Sequence, residues 1–329
     1  MLPILFVSLY ILFSSAVPAA AQENEAAFNA EAILPANQQT DKSYYDLKVT
    51  PGTSQMLEMR LKNTSPKKVQ VQIEGNNAIT NQNGALDYSQ HGQKMLTNPS
   101  FESMISSPQI ITLEPGEEKI TAFQLTVPEQ GFDGTVLGGF YCYQVEDKQD
   151  QQTAGFSLTN RFAYTIGVQL NCSDKKIDPI LELSKVTPGL DNGHLTVFAT
   201  LSNLQPVLLS QLQLTAMVTK KGDKDVLHQV TKKISLAPAT QFQLPVSWEN
   251  EPLKPGKYEL TLLLTAASGQ KWTLKKEFQL TQKDKQLNQQ AVELKKEPSF
   301  ILYYGVIILS FIIIAGLIVY IRKLQRKQR

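Results

Sequence analysis

Residues Tyr45–Glu74, YDLKVTPGTSQMLEMRLKNTSPKKVQVQIE, contain three short apolar runs separated by two turns. Within each run the apolar side chains recur at every second position, which is the period of a β-strand with one buried face. Pro51–Gly52 and Asn63–Pro66 supply turn residues at the two joints. The stretch therefore predicts three half-buried strands.

The alternating pattern extends over most of the chain, and no amphipathic helical segment interrupts it. Short strands with turn residues about every ten positions are typical of an Ig-like sandwich. We predict an all-β protein with two tandem Ig-like β-sandwich domains. The further predicted strands are Ile110–Leu113, Ile120–Val127, Val136–Val145, Phe162–Leu170, Ile180–Val186, Leu195–Leu204, Leu208–Val218, Val226–Val230, Ile234–Leu236, Phe242–Trp248, Tyr258–Leu264 and Trp272–Leu280.

Changes in composition set the expected domain boundaries. The first sandwich is predicted over residues 28–158, the second over 159–283, and a polar stalk over 284–299. The strand within residues 161–172 either closes the first sandwich or opens the second, and its pattern fits both positions.

The connection Asn76–Pro108 is long and rich in Asn, Gln, Ser and Gly. Long loops on a rigid sandwich are often functional, and amide and aromatic side chains suit sugars or peptides. A disordered loop would have the same composition, so both interpretations stay open. The candidate binding residues are Asn76, Asn77, Asn81, Asn83, Asp87, Tyr88 and Phe101.

Residues 1–21 have the pattern of a secretory signal peptide. Leu2–Ala16 is apolar, and Ala19–Ala21 forms a small-residue cleavage site. Neither Lys nor Arg precedes the apolar run, so an N-terminal transmembrane helix is the alternative, although the run is short for one. We expect cleavage after Ala21 and export.

Residues 300–321 form an uncharged apolar run, long enough at about 1.5 Å per residue to span a hydrocarbon core of roughly 30 Å. Tyrosines lie near both ends, as is usual at membrane interfaces, and we predict one transmembrane helix. A buried core helix is the alternative interpretation. The following tail, residues 322–329, is basic and contains no acid. The positive-inside rule then places the tail in the cytoplasm and the preceding domains outside. We interpret the tail as a stop-transfer signal rather than a lipid-binding site.

The composition excludes several functional classes. The chain is 42% hydrophobic with a net charge of +2, so we expect no basic face for nucleic acid. Two cysteines are too few for a disulfide scaffold or a Cys-rich metal module. If the strands around residues 136–145 and 162–170 form a hairpin, Cys142 faces the region of residue 164. Cys172 then lies roughly 25 Å away along the strand, which predicts two free thiols.

Recognisable catalytic chemistry is missing from the sequence. His91, His194 and His228 do not stand at metal-ligand spacing, and we expect all three to be solvated surface residues. Patterns of the nucleophile-elbow, zinc-protease, phosphate-loop and dinucleotide-binding types do not occur. We expect a protein without enzymatic activity, metal or cofactor. A wall-modifying enzyme that uses two distant carboxylates is the alternative.

Aromatic side chains are the usual contacts for sugars and protein partners. In the first domain the candidates are Tyr44, Tyr45, Tyr88 and Phe101. In the second domain they are Trp248 and Trp272, but both border predicted strands, and we favour core packing for them.

Several of these segments together resemble the WxL-interacting proteins of Gram-positive bacteria. The resemblance covers nearly the whole chain, although pieces such as L-x-P-G-E are common in bacterial Ig-like folds. The two cysteines and the uncharged start depart from the family pattern. The segments are YYDLKVTPGTSQMLEMRLKN (Tyr44–Asn63), NNAITNQNGALDYS (Asn76–Ser89), SSPQIITLEPGEEK (Ser106–Lys119), VPEQGFDGTVLGGFY (Val127–Tyr141), NRFAYTIGVQL (Asn160–Leu170), PILELSKVTPGL (Pro179–Leu190), LKPGKYELTL (Leu253–Leu262) and the strand at Trp272.

The resemblance implies a surface adhesion or assembly scaffold rather than an enzyme. Its first domain would bind peptidoglycan, and its second would bind host matrix or other host proteins. A WxL-domain surface protein would be a further partner. An export chaperone that acts by strand addition is an alternative from another class.

Overall fold

The computed structural model describes residues 26–145, 162–295 and 308–318. The prediction of an all-β protein is confirmed, because β-strands form two successive sandwiches, each made of two sheets around its own apolar core.

The first sandwich packs a three-stranded sheet, ordered β1-β3-β8, against a five-stranded sheet, ordered β2-β10-β9-β4-β7. Its strands are β1 (Phe28–Ile33), β2 (Tyr45–Lys48), β3 (Ser54–Asn63), β4 (Val69–Asn77), β7 (Gln109–Leu113), β8 (Glu118–Thr126), β9 (Thr135–Gln144) and β10 (Ala163–Asn171). The connection between β4 and β7 carries a small hairpin and one helical turn: β5 (Ile79–Thr80), β6 (Leu86–Asp87) and α1 (Phe101–Met104). The predicted pattern missed β1 and these three short elements.

Strand β10 belongs to the first sandwich. It pairs antiparallel with β9 over its whole length and parallel with β2 at its end. In this register Cys142 lies directly opposite Tyr164, which confirms the predicted hairpin pairing. Both thiols are free, Cys142 buried and Cys172 half-buried.

Aromatic rings fill the centre of the first core. Phe140 contacts Tyr45, Phe101 and Phe123, with ring centroids 6.1, 5.7 and 4.8 Å away. All four side chains are fully buried. Burial of each contributes about 1.5–3 kcal/mol, so this cluster holds the two sheets together.

The second sandwich pairs a sheet ordered β11-β12-β15 with one ordered β14-β13-β16-β17. Its strands are β11 (Leu181–Asp191), β12 (His194–Asn203), β13 (Leu209–Lys220), β14 (Val226–Leu236), β15 (Thr240–Ser247), β16 (Gly256–Thr265) and β17 (Lys271–Leu280). The expectation of two strands at Val226–Val230 and Ile234–Leu236 is wrong. Strand β14 runs through, because β13 pairs with the polar residues Lys232 and Lys233 between them.

The segment after β17 lies against the second sandwich. It forms a 3₁₀ turn at Asp284–Gln286 and the short helix α2 (Leu287–Gln290), and Leu287 and Leu294 pack on the second core. Asn288 accepts a hydrogen bond from the Leu253 N–H at 2.9 Å. The segment expected to be a stalk over 284–299 is therefore packed against the second sandwich up to residue 295. Its scattered apolar side chains contact the core of that sandwich, a contact that local sequence pattern does not predict.

Residues 308–318, within the predicted membrane span, are helical. In the parts of the chain that the structure describes, no helix is both long enough and apolar enough to cross a membrane. The rest of the predicted span, its basic tail and the predicted signal peptide lie outside the described residues.

Candidate functional site

The outer face of the five-stranded sheet carries an aromatic and polar surface. Tyr141 lies opposite Glu74 on one side and Thr165 on the other, so these three side chains form one row across the sheet. The next row holds Tyr143, whose ring lies 5.4 Å from that of Tyr141. The Tyr143 hydroxyl donates to Glu74 Oε1 at 3.1 Å, which orients both groups.

A groove of about 1020 Å³ runs along this face. One wall consists of Tyr44 and the β1 residues Ala30–Ala32, and the other consists of Leu86–Ser89 together with Leu208 and Ser210 of the second sandwich. Tyr141 and the β10 residues Thr165–Gln169 also line it. Both sandwiches and the long β4–β7 connection thus contribute to one concave surface, which is the usual form of a ligand site.

Tyr88 is held tightly against the sheet. A Cβ atom added to Gly139 would lie 2.9 Å from Cδ1 of Tyr88, so the ring occupies the space that a side chain on β9 would need. Burial, with a smaller contribution from Tyr44, raises the pKa of the Tyr88 hydroxyl to about 12. Tyr88 is therefore neutral at physiological pH, and it lines the groove.

A polar network continues the face toward the second sandwich. The buried Asp46 accepts a hydrogen bond from Gln169 Nε2 at 3.2 Å and another from Thr40 Oγ1 at 2.8 Å. A smaller groove of about 430 Å³ lies beyond it and includes Lys48 and Asn171. The sheet face thus offers carboxylate and amide groups next to the tyrosines.

Three of the sequence-predicted binding residues have buried side chains. Asn76 Nδ2 donates to the Tyr88 carbonyl at 2.8 Å, and Asn77 accepts from the Glu102 N–H at 3.0 Å. Phe101 lies in the first core. These three side chains therefore stabilise the fold of the β4–β7 connection and are not exposed to a ligand.

The other predicted residues lie at or near the surface of the same connection. Asn81 caps the β5–β6 turn by accepting from the Asn83 N–H at 3.0 Å, and Asn83 is exposed. Asp87 and Tyr88 line the groove. The structure therefore brings two of the seven residues together in one site.

The sequence patterns did not single out five polar or aromatic residues of this site, namely Tyr141, Tyr143, Glu74, Asp46 and Gln169. A signal existed, because Tyr141 and Tyr143 alternate along β9 with the core residues Phe140 and Cys142. Their position beside the β4–β7 connection depends on sheet order, which periodicity does not encode.

The tip of the β4–β7 connection joins the two sandwiches. The Ser235 N–H donates to the Gly84 carbonyl at 2.7 Å, and the Ala237 N–H donates to Thr80 Oγ1 at 2.9 Å. Thr80 Oγ1 in turn donates to the Ser235 carbonyl at 3.2 Å. Beneath them Ala78, Leu137 and Ala237 form a small buried apolar cluster. The hairpin β5–β6 therefore clasps β14 and holds the second wall of the groove in place.

Aromatic candidates in the second sandwich are largely internal. Trp248 is buried between His228 and Tyr258, with ring centroids 4.3 and 5.5 Å away, which confirms core packing for Trp248. Trp272 is half-buried against the same core.

The expectation of a solvated His228 is wrong. It is 2% exposed, its Nδ1 makes no hydrogen bond to the described residues, and burial lowers its pKa. His228 lies on the inward face of β14 and packs against Trp248. Across the described ranges, no three His, Cys, Asp or Glu side chains form a cluster suited to a metal ion.

Family models match both halves of the chain. Residues 28–144 match "WxL Interacting Protein, peptidoglycan binding domain", and residues 153–289 match "WxL Interacting Protein, host binding domain". Together the two matches cover well over half of the sequence.

The chain belongs to the WxL-interacting protein family.

This confirms the resemblance in the predicted order of domains. The match to the host-binding domain of the WxL-interacting proteins begins before β10, although β10 pairs in the sheet of the first sandwich. Both family domains are binding domains, and the groove lies mainly in the first.

Solved structures with some similarity have TM-scores too low to support an argument. A chaperone–tip adhesin complex of CFA/I fimbriae has a TM-score of 0.34 and 13% identity over 75% of this chain and 98% of that one. The YadV chaperone has a TM-score of 0.32 and 10% identity over 77% and 100%. The CsuC–CsuE complex of Acinetobacter baumannii has a TM-score of 0.32 and 13% identity over 67% and 90%. Among curated proteins, none matches the chain.

Proposed function

We propose that this WxL-interacting protein is a non-enzymatic surface scaffold whose first sandwich binds peptidoglycan in the tyrosine-lined groove. The observation that carries the proposal is the juxtaposition of Tyr44, Tyr88 and Tyr141 in one groove of about 1020 Å³ within the peptidoglycan-binding half.

The chemistry of the groove suits a glycan. Sugar rings present C–H faces that pack on tyrosine rings, while their hydroxyl and amide groups need hydrogen-bond partners. The groove supplies the carboxylate of Asp87 and the amide of Gln169 beside the rings. Because the β-sheet and the clasp of β5–β6 hold these groups in place, binding orders few side chains and costs little conformational entropy.

The test is sedimentation of the purified ectodomain with insoluble peptidoglycan. We expect Tyr141→Ala to weaken binding roughly 2- to 12-fold, since one aromatic contact contributes about 0.5–1.5 kcal/mol. The matched control is Phe162→Ala, an exposed aromatic residue next to β10 that does not line the groove. Equal binding by both variants, or failure of the parent ectodomain to sediment, would refute the proposal.

The second sandwich and the partners complete the proposed role. We propose that it engages host matrix or other host proteins, and that the ectodomain also binds a WxL-domain surface protein. The family descriptions support both partners. Pull-downs with a purified WxL-domain protein and with host matrix proteins test them separately.

We further propose that residues 300–321 anchor the ectodomain in the cell membrane of a Gram-positive bacterium, with residues 322–329 in the cytoplasm. The apolar run and the basic tail of the sequence support this. Deleting residues 300–329 should release the protein into the culture medium. Retention of the truncated protein in the membrane fraction would contradict the proposed anchor.

A further inference from the structure

One edge of the five-stranded sheet is only half covered. Strand β2 pairs with β10 from Val168 to Asn171, whereas β9 pairs with β10 from Ala163 onward. Along Ala163–Gly167, no strand within the described residues pairs with β10 on the side of β2.

The backbone groups of this open stretch point away from the sheet. The Val49 N–H donates to the Asn171 carbonyl at 2.9 Å, so the backbone of Asn171 faces the side of β2. Backbone groups alternate between the two sides of a strand. Ala163 and Thr165 therefore present their N–H and C=O groups at the open edge, and Gly167 presents its N–H there, while its carbonyl faces the Tyr45 N–H of β2.

β1 packs beside this stretch through the Phe28–Tyr164 ring contact at 5.3 Å but does not pair with it, and the stretch itself lacks the residue types that normally prevent pairing. Proteins protect exposed edges with lysine, proline or bulges. Residues 163–167 are Ala, Tyr, Thr, Ile and Gly, without a charge or a proline. By contrast the edge strand β17 carries Lys271, Lys275 and Lys276.

The later part of the open stretch, Thr165–Gly167, lies in the groove. Thr165–Gln169 line it together with Ala30–Ala32 of β1 and Tyr44, which leaves room for an extended chain beside β10. An added strand needs a spacing of about 4.8 Å and alternate pockets for its side chains.

We propose that residues 163–167 bind an extended segment of a partner protein by strand addition, and that this partner is the WxL-domain protein. The inference rests on the proposed function in its choice of partner. Unpaired backbone donors and acceptors recognise another peptide backbone in register, which is why the occupant is a polypeptide rather than a glycan. The glycan contacts of Tyr141 and the peptide contacts of the β10 edge would then be neighbouring parts of one groove.

Amide hydrogen exchange on the unmodified ectodomain tests the inference directly. The amides of Thr165 and Gly167 should exchange rapidly in the free protein and become protected at least tenfold when a purified WxL-domain protein is added. Slow exchange in the free ectodomain would overturn the proposal, since the edge would then be covered already. Protection by peptidoglycan fragments alone, or concentration-dependent protection without a partner, would overturn it in favour of a glycan or a second copy.

The matched substitutions are Thr165→Pro and Thr112→Pro. Thr165 lies on the part of β10 that β2 does not cover, and Thr112 lies on β7, an edge strand of the same sheet. The Val145 N–H donates to the Gln70 carbonyl, so even-numbered residues of β4 direct their backbone groups toward β9 and odd-numbered ones toward β7. Ile111 and Leu113 pair with odd-numbered β4 residues and therefore face β4. The N–H of Thr112, which lies between them, points outward. Proline removes one outward N–H at each site and is tolerated at such an edge position.

Thr165→Pro should abolish capture of the WxL-domain protein, whereas Thr112→Pro, which lies outside the groove, should retain both capture and peptidoglycan sedimentation. Capture by Thr165→Pro at the parent level refutes strand addition. Loss of peptidoglycan sedimentation in the parent ectodomain would instead refute the proposed function, so the two failures are distinguishable. Thermal unfolding of each variant verifies that the ectodomain is folded. If Thr165→Pro does not fold, amide hydrogen exchange on the parent protein tests strand addition by itself.

Discussion

Gly84 and Ile234 touch so closely that a Cβ atom added to Gly84 would lie 2.2 Å from Cγ2 of Ile234. The glycine is at the tip of the β5–β6 hairpin, and the isoleucine is on β14 of the second sandwich. The contact is possible only because the residue at position 84 lacks a side chain, and it sets how closely the hairpin approaches β14.

Gly84→Ala should therefore loosen the docking of the two sandwiches. The backbone φ of +79° adds strain to the steric overlap, and together they should cost about 2 kcal/mol or more of unfolding free energy. The matched control is Gly92→Ala, which has a φ of +77° and no atom within 4 Å of an added Cβ. Urea unfolding should show a clearly larger loss for Gly84→Ala, and equal losses would mean that the contact with Ile234 contributes nothing.

Phe101→Ala should affect stability rather than recognition. The side chain is fully buried against Phe140, and removal of a core phenylalanine costs about 3–5 kcal/mol. The measurement is the urea midpoint, followed by peptidoglycan sedimentation at a temperature where the variant is folded. A folded Phe101→Ala ectodomain that fails to bind would show that Phe101 takes part in binding itself.

Cys142 should resist alkylation in the folded protein. Burial raises the pKa of its thiol to about 12, so the reactive thiolate is scarce at pH 8. The half-buried Cys172 serves as the internal control. Mass spectrometry after brief iodoacetamide treatment should find the label on Cys172 first. The raised pKa also means that stability falls as the pH rises from about 9 toward 12, because the unfolded thiol ionises first.

His228 should make the ectodomain less stable in mild acid. Burial lowers its pKa below the ordinary value of 6.5, so the unfolded state takes up the proton first and stability is lost as the pH falls through that range. His228→Phe removes this titration and retains a ring beside Trp248. Urea midpoints at pH 7 and pH 5 should differ less for the variant than for the parent. An identical pH dependence would contradict a role for His228.

Much of the fold was predictable from local pattern. The alternation in Tyr45–Glu74 predicted β2, β3 and β4, and the pairing of Cys142 with Tyr164 followed from treating β9 and β10 as a hairpin. The FNAEAI strand β1 was missed because its small alanines give a weak apolar alternation.

The site was harder to predict. Asn76 and Phe101 lie in a segment whose composition is typical of a binding loop, yet their side chains are buried. The sequence does not reveal whether an amide such as that of Asn76 hydrogen-bonds to the protein backbone or to a ligand. Tyr141 was overlooked because its importance comes from its neighbours Glu74 and Thr165, which lie on other strands.

The sequence by itself determined the strand pattern, the family and the order of the two domains, since these depend on periodicity and on the residue types along the chain. Only the tertiary structure decided that β10 closes the first sandwich, that the β5–β6 hairpin clasps the second, and that half of the β10 edge is open in a groove. These are relations between residues distant in sequence, such as Thr80 with Ala237, and they arise from sheet order and packing, which the local alternation of apolar side chains does not specify.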